Sequence, residues 1–426
     1  MSDLTVIHAI LNRKPVTVDV RNGCFSEIRS EPPGNVKTCP DIPVLDAEGK
    51  AILPALYNTH THAAMSLLRG YADDRELYDW LNNYIWPLEA KLTAEDIYIG
   101  TRLAALEMIR SGTVFFNDMY WHPRETIRAV EEMKMRACVG QAILDAFDTE
   151  QGERQFKEAE ELLQDRQNFS SKIQLNINPH AIYSVRQEGL RRAAEFAAKH
   201  DIPLHIHVSE SRKEVADCLA ANGCRPVEWL EQCGVFQARV IAVHGIHVTD
   251  HELEIMAGHD VTIAHNPSSN HKLVSGVFPY HRYKKAGIPV TLGTDGSSSN
   301  NNLSMMESMK MTALNAKMAS GNPKECPAEE AWQLATEAGA KAFRINGGKI
   351  EAGAVADFIL ADTDHPALVP GYNLIPDMVY SADSSVIDTV VCGGDILMQN
   401  RQIPGEKEMI EEARKAARRL TGNPHI

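Results

Sequence analysis

Two histidines stand one residue apart in NTHTHAAMSLLRG: His60 and His62, directly after the apolar run 51–56. Alternate side chains of a strand point to the same side. An HxH pair at a strand end therefore projects two imidazoles together, which is half of a metal site. Alone, such a pair more often marks two hydrogen-bonded core histidines. Three other runs end on groups of the same kind: HIHVSE carries His205, His207 and Glu210, VHG carries His244, and GTDG carries Asp295. Imidazoles with a carboxylate suit zinc or ferrous iron, ions that accept nitrogen and oxygen. Either histidine of HIH could be a ligand. His207 is favoured, because it is nearer the strand end and three residues before Glu210; His205 is expected deeper, hydrogen-bonded to backbone. His265, in AHNPSSN, is expected to orient the site rather than ligate. No HExxH and no zinc-finger spacing occurs in the sequence, so a zincin protease or a structural finger is not supported.

Those residues need a frame that brings them together. Eight short apolar runs follow one another: AILPALYNTH, TVFFND, RACVGQAIL, IQLNINPH, PLHIHVSE, VIAVHG, VTIAHN and PVTLGTD. Most are separated by segments of helical periodicity, such as TAEDIYIGTRLAALEMIRSG and SVRQEGLRRAAEFAAKHD. Helix stops are expected at Ser111-Gly112, at Lys199-His200 before Pro203, and at Ala286-Gly287 before Pro289. Eight strand–helix units point to a parallel barrel whose strands are buried on both faces, with an open doubly wound sheet as the alternative. The active site of such a barrel lies at the C-terminal strand ends, so the histidines and Asp295 converge over one mouth. The expected fold class is α/β, a (β/α)8 TIM-like barrel over residues 51–346. The chain ends alternate as strands do, in LTVIHAIL and PVTVDV with an Asn22-Gly23 hairpin signal, and again in VIDTVVCGGDILMQN. Residues 1–50 and 347–403 are therefore expected to build one small composite β-sandwich. After Pro404-Gly405 a C-terminal helix is expected within 404–426, from about Glu406 to Leu420. GTDGSSSNNN reads as a loop that ends in an Asn or Ser helix cap.

The stretches LPALYNTHTHAAMSLLRG, HIHVSES, VHGIHV, AHNPSSNHKL, TLGTDGSSSNNNLSMMESMK and GGKIEAGAVADFILAD span nearly the whole chain. Together they resemble the amidohydrolase superfamily, and within it the branch of S-adenosylhomocysteine/methylthioadenosine deaminases and triazine hydrolases. The resemblance implies one catalytic divalent metal ion, zinc with iron as the alternative, on His60, His62, His207 and Asp295. It implies that His244 lies beside the attacking water, that Glu210 shuttles protons to the substrate ring, and that Asp295 also takes the water's proton. Such an ion lowers the pKa of a water it holds from near 16 to roughly 7. The fourth strand, QLNINPH, carries no lysine, so the bridging carbamate of binuclear relatives is not expected.

The same resemblance bears on substrate. DWLNNYIWPLEAKLT supplies Trp80 and Glu89, with Glu89 implied to accept hydrogen bonds from two ribose hydroxyls. His180 matches a histidine near the purine or ribose. Gln141 stands where relatives that take the homocysteine carboxylate carry an arginine, and glutamine cannot form a charged bidentate pair. Arg154 follows in the next loop, in uncertain register. The expected function is hydrolytic deamination of an adenosine-type nucleoside: methylthioadenosine, 5′-deoxyadenosine or adenosine, with S-adenosylhomocysteine used weakly. The alternative is a deaminase or dehalogenase of a free base, pterin or triazine. A scaffold without activity is disfavoured, because every expected ligand position is filled.

Bulk properties narrow the partners. The formal charge of −14 repels phosphate backbones, so nucleic acid is not an expected partner. Hydrophobic residues make up 44% of 426, enough for a sizeable core. None of the eight cysteines forms a CxxC pair, which fits free thiols in a reducing cytoplasm. The first residues do not read as a signal peptide, and no apolar run reaches the roughly 18 residues of a membrane span. A homo-oligomer, at least a dimer, acting on a small molecule is the expected assembly.

Overall fold

Strands from the first 54 residues are bounded by tight turns. In the computed structural model, which describes residues 2–30 and 38–423, they are β1 (Leu4–Leu11), β2 (Lys14–Arg21), β3 (Cys24–Ser30), β4 (Val44–Asp46) and β5 (Lys50–Pro54). Asn22 and Gly23 both take positive φ, 51° and 73°, as a two-residue hairpin turn requires. The run AILPALYNTH, read above as one strand, is two. β5 ends at Pro54, which has no N–H to continue a ladder, and β6 (Leu56–Thr61) starts a different sheet.

Parallel strands follow. β6, β7 (Thr113–Asp118), β8 (Arg136–Val139) and β10 (Ile173–Leu175) form one four-stranded array, and β9 (Ala142–Ile143) pairs with β11 (Asn178–Pro179). β12 (Leu204–Val208), β13 (Val240–His244), β14 (Val261–His265) and β15 (Val290–Leu292) form a second four-stranded array. Parallel bridges Ile177–Leu204 and Ala181–His207 link the two on one side. On the other side the N–H groups of Thr294 and Asp295 each donate to the His60 carbonyl at 3.1 Å. The third and fourth runs are each broken in the middle. At Gly140 a Cβ would stand 2.0 Å from the Asn176 carbonyl oxygen, so only glycine permits that approach of two backbones.

The far end of the chain adds β16 (Phe358–Asp362), β17 (Ile387–Cys392) and β18 (Asp395–Met398). They join the first strands in one continuous sheet of order β18-β17-β16-β5-β1-β2-β3, with β4 beside β1. Its residues Leu4, Val18, Phe25, Ile52 and Phe358 make a core separate from that of the parallel strands. A buried ion pair joins the two regions: Arg136 Nε lies 2.8 Å from Asp357 Oδ2, which also accepts from the Tyr57 hydroxyl at 2.7 Å.

Helices occupy the segments between parallel strands. Thr93 and Asp96 form a capping box on the helix Ala94–Arg110. That helix stops at Ser111, and Gly112 takes φ 84° where a Cβ would meet Ile387 at 2.8 Å. The helices Gln187–His200 and Tyr280–Ala286 end on left-handed Asp201 and Gly287. Within GTDGSSSNNN, Ser297–Asn300 is a short helix rather than loop, because the Asn300 N–H reaches the Gly296 carbonyl at 3.0 Å. The last helix is Glu406–Thr421.

Candidate active site

Strand alternation brings His60 and His62 to one side of β6, at its C-terminal end, as their spacing requires. His207 from β12, His244 ending β13, and Asp295 beyond β15 meet them there. The ring centroids of His60 and His207 lie 5.0 Å apart, and those of His207 and His244 5.4 Å. One ligand atom from each of His60, His62 and His207 lies within 4.8 Å of the others, and the same holds for His60, His244 and Asp295.

The hydrogen bonds around these rings decide which nitrogen each presents. His62 Nδ1 donates to the Met119 carbonyl at 2.7 Å, and His207 Nδ1 to the His180 carbonyl at 2.8 Å. A carbonyl can only accept, so both rings carry their proton on Nδ1 and turn a lone pair inward on Nε2. Among the described residues, His60 Nε2 is buried without a hydrogen-bond partner. Asp295 Oδ1 stands 3.4 Å from both His60 Nε2 and His62 Nε2. That is long for a hydrogen bond. It is the separation, about 3.4 Å, of two atoms each about 2.1 Å from a shared tetrahedral ion. The donor set, its spacing and the orphaned Nε2 therefore fit a divalent metal.

Electrostatics separates the acids. Burial alone would raise the Asp295 carboxyl, but His60, His62 and His244 outweigh it and hold it well below the usual carboxylate range. Ser269 Oγ donates to its Oδ2 at 2.6 Å, and the Gly296 N–H to its Oδ1 at 2.7 Å. Glu210 is pushed up by burial, with Ser275 Oγ donating to its Oε1 at 3.1 Å. Burial lowers His60 to about 4 and His180 to about 3. Ser209, His244 and Asp295 all take positive φ, an uncommon conformation for residues other than glycine and one that clusters at functional sites.

A cavity opens over this cluster, lined among others by His62, Trp80, Glu89, His180, Glu210 and Asp295. Glu89 is buried, accepts from the Tyr120 hydroxyl at 2.6 Å, and is pushed up to about 8 by burial. Gln141 does not line this cavity. It borders a second one, which shares Trp86, Glu89, Trp121 and Leu144 with the first. Gln141 is buried and its amide donates to the Ala142 carbonyl at 3.1 Å, because the break after β8 turns it aside. Arg154 also borders the second cavity, largely exposed and 3.8 Å from Asp148.

One expectation changes. His205 bonds to side chains, not backbone: its Nε2 to His60 Nδ1 at 2.9 Å and its Nδ1 to Asn178 Oδ1 at 3.1 Å. His265 stacks on Phe278 and lies 3.4 Å from Asn270, whose Oδ1 accepts from His244 Nδ1 at 2.8 Å. The sequence reading missed Ser269, Asn270 and Ser275, three groups that hold Asp295, His244 and Glu210. Their signal was position: AHNPSSNHKL directly follows the seventh strand, where βα loops of a barrel carry function.

The chain is similar to known proteins over most of its length. Residues 51–397 match the Amidohydrolase family. A 5′-deoxyadenosine deaminase of Methanoregula boonei is 46% identical over 88% of this chain and 86% of that protein. A 5-methylthioadenosine/S-adenosylhomocysteine deaminase of Archaeoglobus fulgidus is 44% identical over 89% and 90%. The crystal structure of an adenosine deaminase from Xanthomonas campestris with bound zinc superposes with a TM-score of 0.91 at 30% identity, over 99% of this chain and 98% of that one. The inward-facing histidines, the buried carboxylates and this similarity agree: the chain belongs to the amidohydrolase family.

Proposed function

We propose that the protein is a metal-dependent hydrolytic deaminase of an adenosine-type nucleoside, releasing ammonia from C6 to give the inosine analogue. The observation that carries this reading is the meeting of His60, His62, His207 and Asp295 under a cavity whose walls hold two further buried carboxyls, Glu210 and Glu89. His60, His62, His207 and Asp295 would hold one divalent ion, with zinc favoured and iron the alternative. When bound, that ion supplies an activated water and Lewis acidity.

The side chains divide the proton work. Glu210, whose carboxyl burial shifts toward its protonated form, delivers a proton to N1 of the purine, which makes C6 more electrophilic. Asp295, held ionised, accepts the proton that the attacking water gives up and passes it to the C6 amino group, which leaves as ammonia while the C6 hydroxyl returns its proton to Glu210. His244 Nε2, 3.8 Å from Glu210, orients that water and stabilises the charge that develops at C6. Trp80 and His180 line the purine side of the cavity, and Glu89 accepts from the two ribose hydroxyls. Neutral Gln141, in the outer cavity, favours a substrate whose 5′ group is uncharged. Methylthioadenosine and 5′-deoxyadenosine fit that preference better than S-adenosylhomocysteine.

The two parallel arrays and the bridges between them support a closed (β/α)8 barrel beginning at Leu56. The sheet from the chain ends supports a small second domain folded over its own core. All eight cysteines are free, which suits a reducing cytoplasm. No helix among the described residues is long and apolar enough to cross a membrane. We read the working form as a homo-oligomer.

Ammonia release by zinc-replete protein tests the reading. The panel is 5′-deoxyadenosine, methylthioadenosine, adenosine, guanine, a pterin and a triazine. Turnover of the nucleosides is expected. Turnover of guanine, the pterin or the triazine alone would favour the free-base alternative.

A further inference from the structure

Three imidazoles of the cluster can hold a metal only if each presents a lone pair on Nε2. For His62 and His207 a backbone carbonyl fixes this outright. His60 is different. Its Nδ1 meets no carbonyl but another imidazole, His205 Nε2, at 2.9 Å. Two neutral histidines can share one proton in either sense, so the pair alone leaves the His60 tautomer open. If the proton sat on His205 Nε2, His60 Nδ1 would be the acceptor and its proton would move to Nε2, where it would block the site.

The next residue removes that freedom. Asn178 donates through Nδ2 to the Gly140 carbonyl at 2.7 Å and to the Asp118 carbonyl at 3.3 Å. Those two acceptors fix the amide's orientation, so Oδ1 faces His205 Nδ1 at 3.1 Å and can only accept. His205 therefore carries its proton on Nδ1 and is an acceptor at Nε2. His60 must then donate from Nδ1, and its Nε2 is left with a lone pair and no partner among the described residues. His60, His205 and Asn178 are all fully buried, so no solvent water competes at any link.

We propose that Asn178 and His205 are positioning residues that set the tautomer of His60 and thereby its ability to ligate the catalytic metal. Asn178 reads the direction from two backbone carbonyls and His205 passes it on. The inference rests on the metal-site reading above. It adds that metal affinity depends on two residues that do not touch the metal.

Two substitutions separate this from mere packing. A glutamine amide reaches about where a histidine Nε2 stands, and an asparagine amide about where Nδ1 stands. His205→Gln therefore keeps an acceptor for His60, whereas His205→Asn loses it; both remove the ring. Zinc affinity of the apo-proteins is measured by competition with a chromophoric chelator. His205→Gln is expected within about threefold of the unmodified protein. His205→Asn is expected about 10- to 100-fold weaker, the usual cost of losing a metal ligand's hydrogen-bond partner. Equal affinities in the two variants, weakened or not, would overturn the proposal. Failure of the unmodified protein to bind zinc would instead remove the metal-site reading itself. Should either variant not fold, long-range 1H–15N correlation of histidine-labelled apo-protein decides. His60 protonated on Nδ1 and His205 on Nδ1 is the expected pattern, and a proton on Nε2 of either ring contradicts it.

Discussion

Replacing Glu89 with glutamine should move activity and stability in opposite directions. The carboxyl is buried, and burial holds it at about 8 against an ordinary value of 4.5; its one side-chain partner is the Tyr120 hydroxyl at 2.6 Å. The remaining oxygen is free to accept from the ribose hydroxyls. Glutamine keeps an acceptor for Tyr120 but turns an NH2 group toward two donors. At pH 9, where the carboxyl is ionised, a charge-assisted hydrogen bond contributes about 1.5–3 kcal/mol, so a net loss of about 2–4 kcal/mol is expected there. That corresponds to roughly 30- to 1,000-fold in kcat/KM for a nucleoside. For stability the sign runs the other way. The folded value lies above the unfolded one, so folding takes up a proton, and the wild type loses stability as pH rises from about 4.5 through 8. At about 1.4 kcal/mol per pH unit, that loss is on the order of 2–3 kcal/mol between pH 6 and 9. Glutamine does not ionise, so Glu89→Gln should gain on the wild type over that interval. Steady-state kinetics with 5′-deoxyadenosine, and urea unfolding at pH 6 and pH 9 in one metal state, read both effects. Unchanged nucleoside kinetics, or a variant that loses stability relative to wild type as pH rises, would refute the assignment.

Other outcomes follow from the same geometry. Glu210→Gln removes the proton donor and should lower kcat by about 100- to 10,000-fold while zinc content, read by elemental analysis, stays at the wild-type level. Methylthioadenosine should exceed S-adenosylhomocysteine in kcat/KM; a clear preference for the latter would contradict the role given to Gln141. Asp357→Asn leaves Arg136 buried without its counter-ion, which should cost about 3–5 kcal/mol in denaturant unfolding with little change in KM for folded enzyme.

The site was legible wherever a local period carried it. His60, His62 and His207 fall at strand ends, and a two-residue repeat shows which of them share a side. Asp295 and Glu210 follow from the same strand ends once the barrel is assumed. What stayed hidden was set by chain segments far apart in sequence. Nothing near His205 shows that it bonds to His60, 145 residues away, rather than to backbone. Ser269, Asn270 and Ser275 look like ordinary loop residues until the fold swings them over Asp295, His244 and Glu210. The split at Pro54 was hidden because apolar, buried residues lie on both sides of it, Ile52 and Leu53 before and Leu56 and Tyr57 after, and only strand pairing shows that they serve different sheets.

Anomalous diffraction at the zinc edge, on crystals of zinc-loaded protein, bears most directly on the account. One peak bordered by Nε2 of His60, His62 and His207 and by a carboxylate oxygen of Asp295 is the predicted result. A map with no peak among those four side chains, or with the ion held by other residues, would contradict the shared metal on which the proposed chemistry depends.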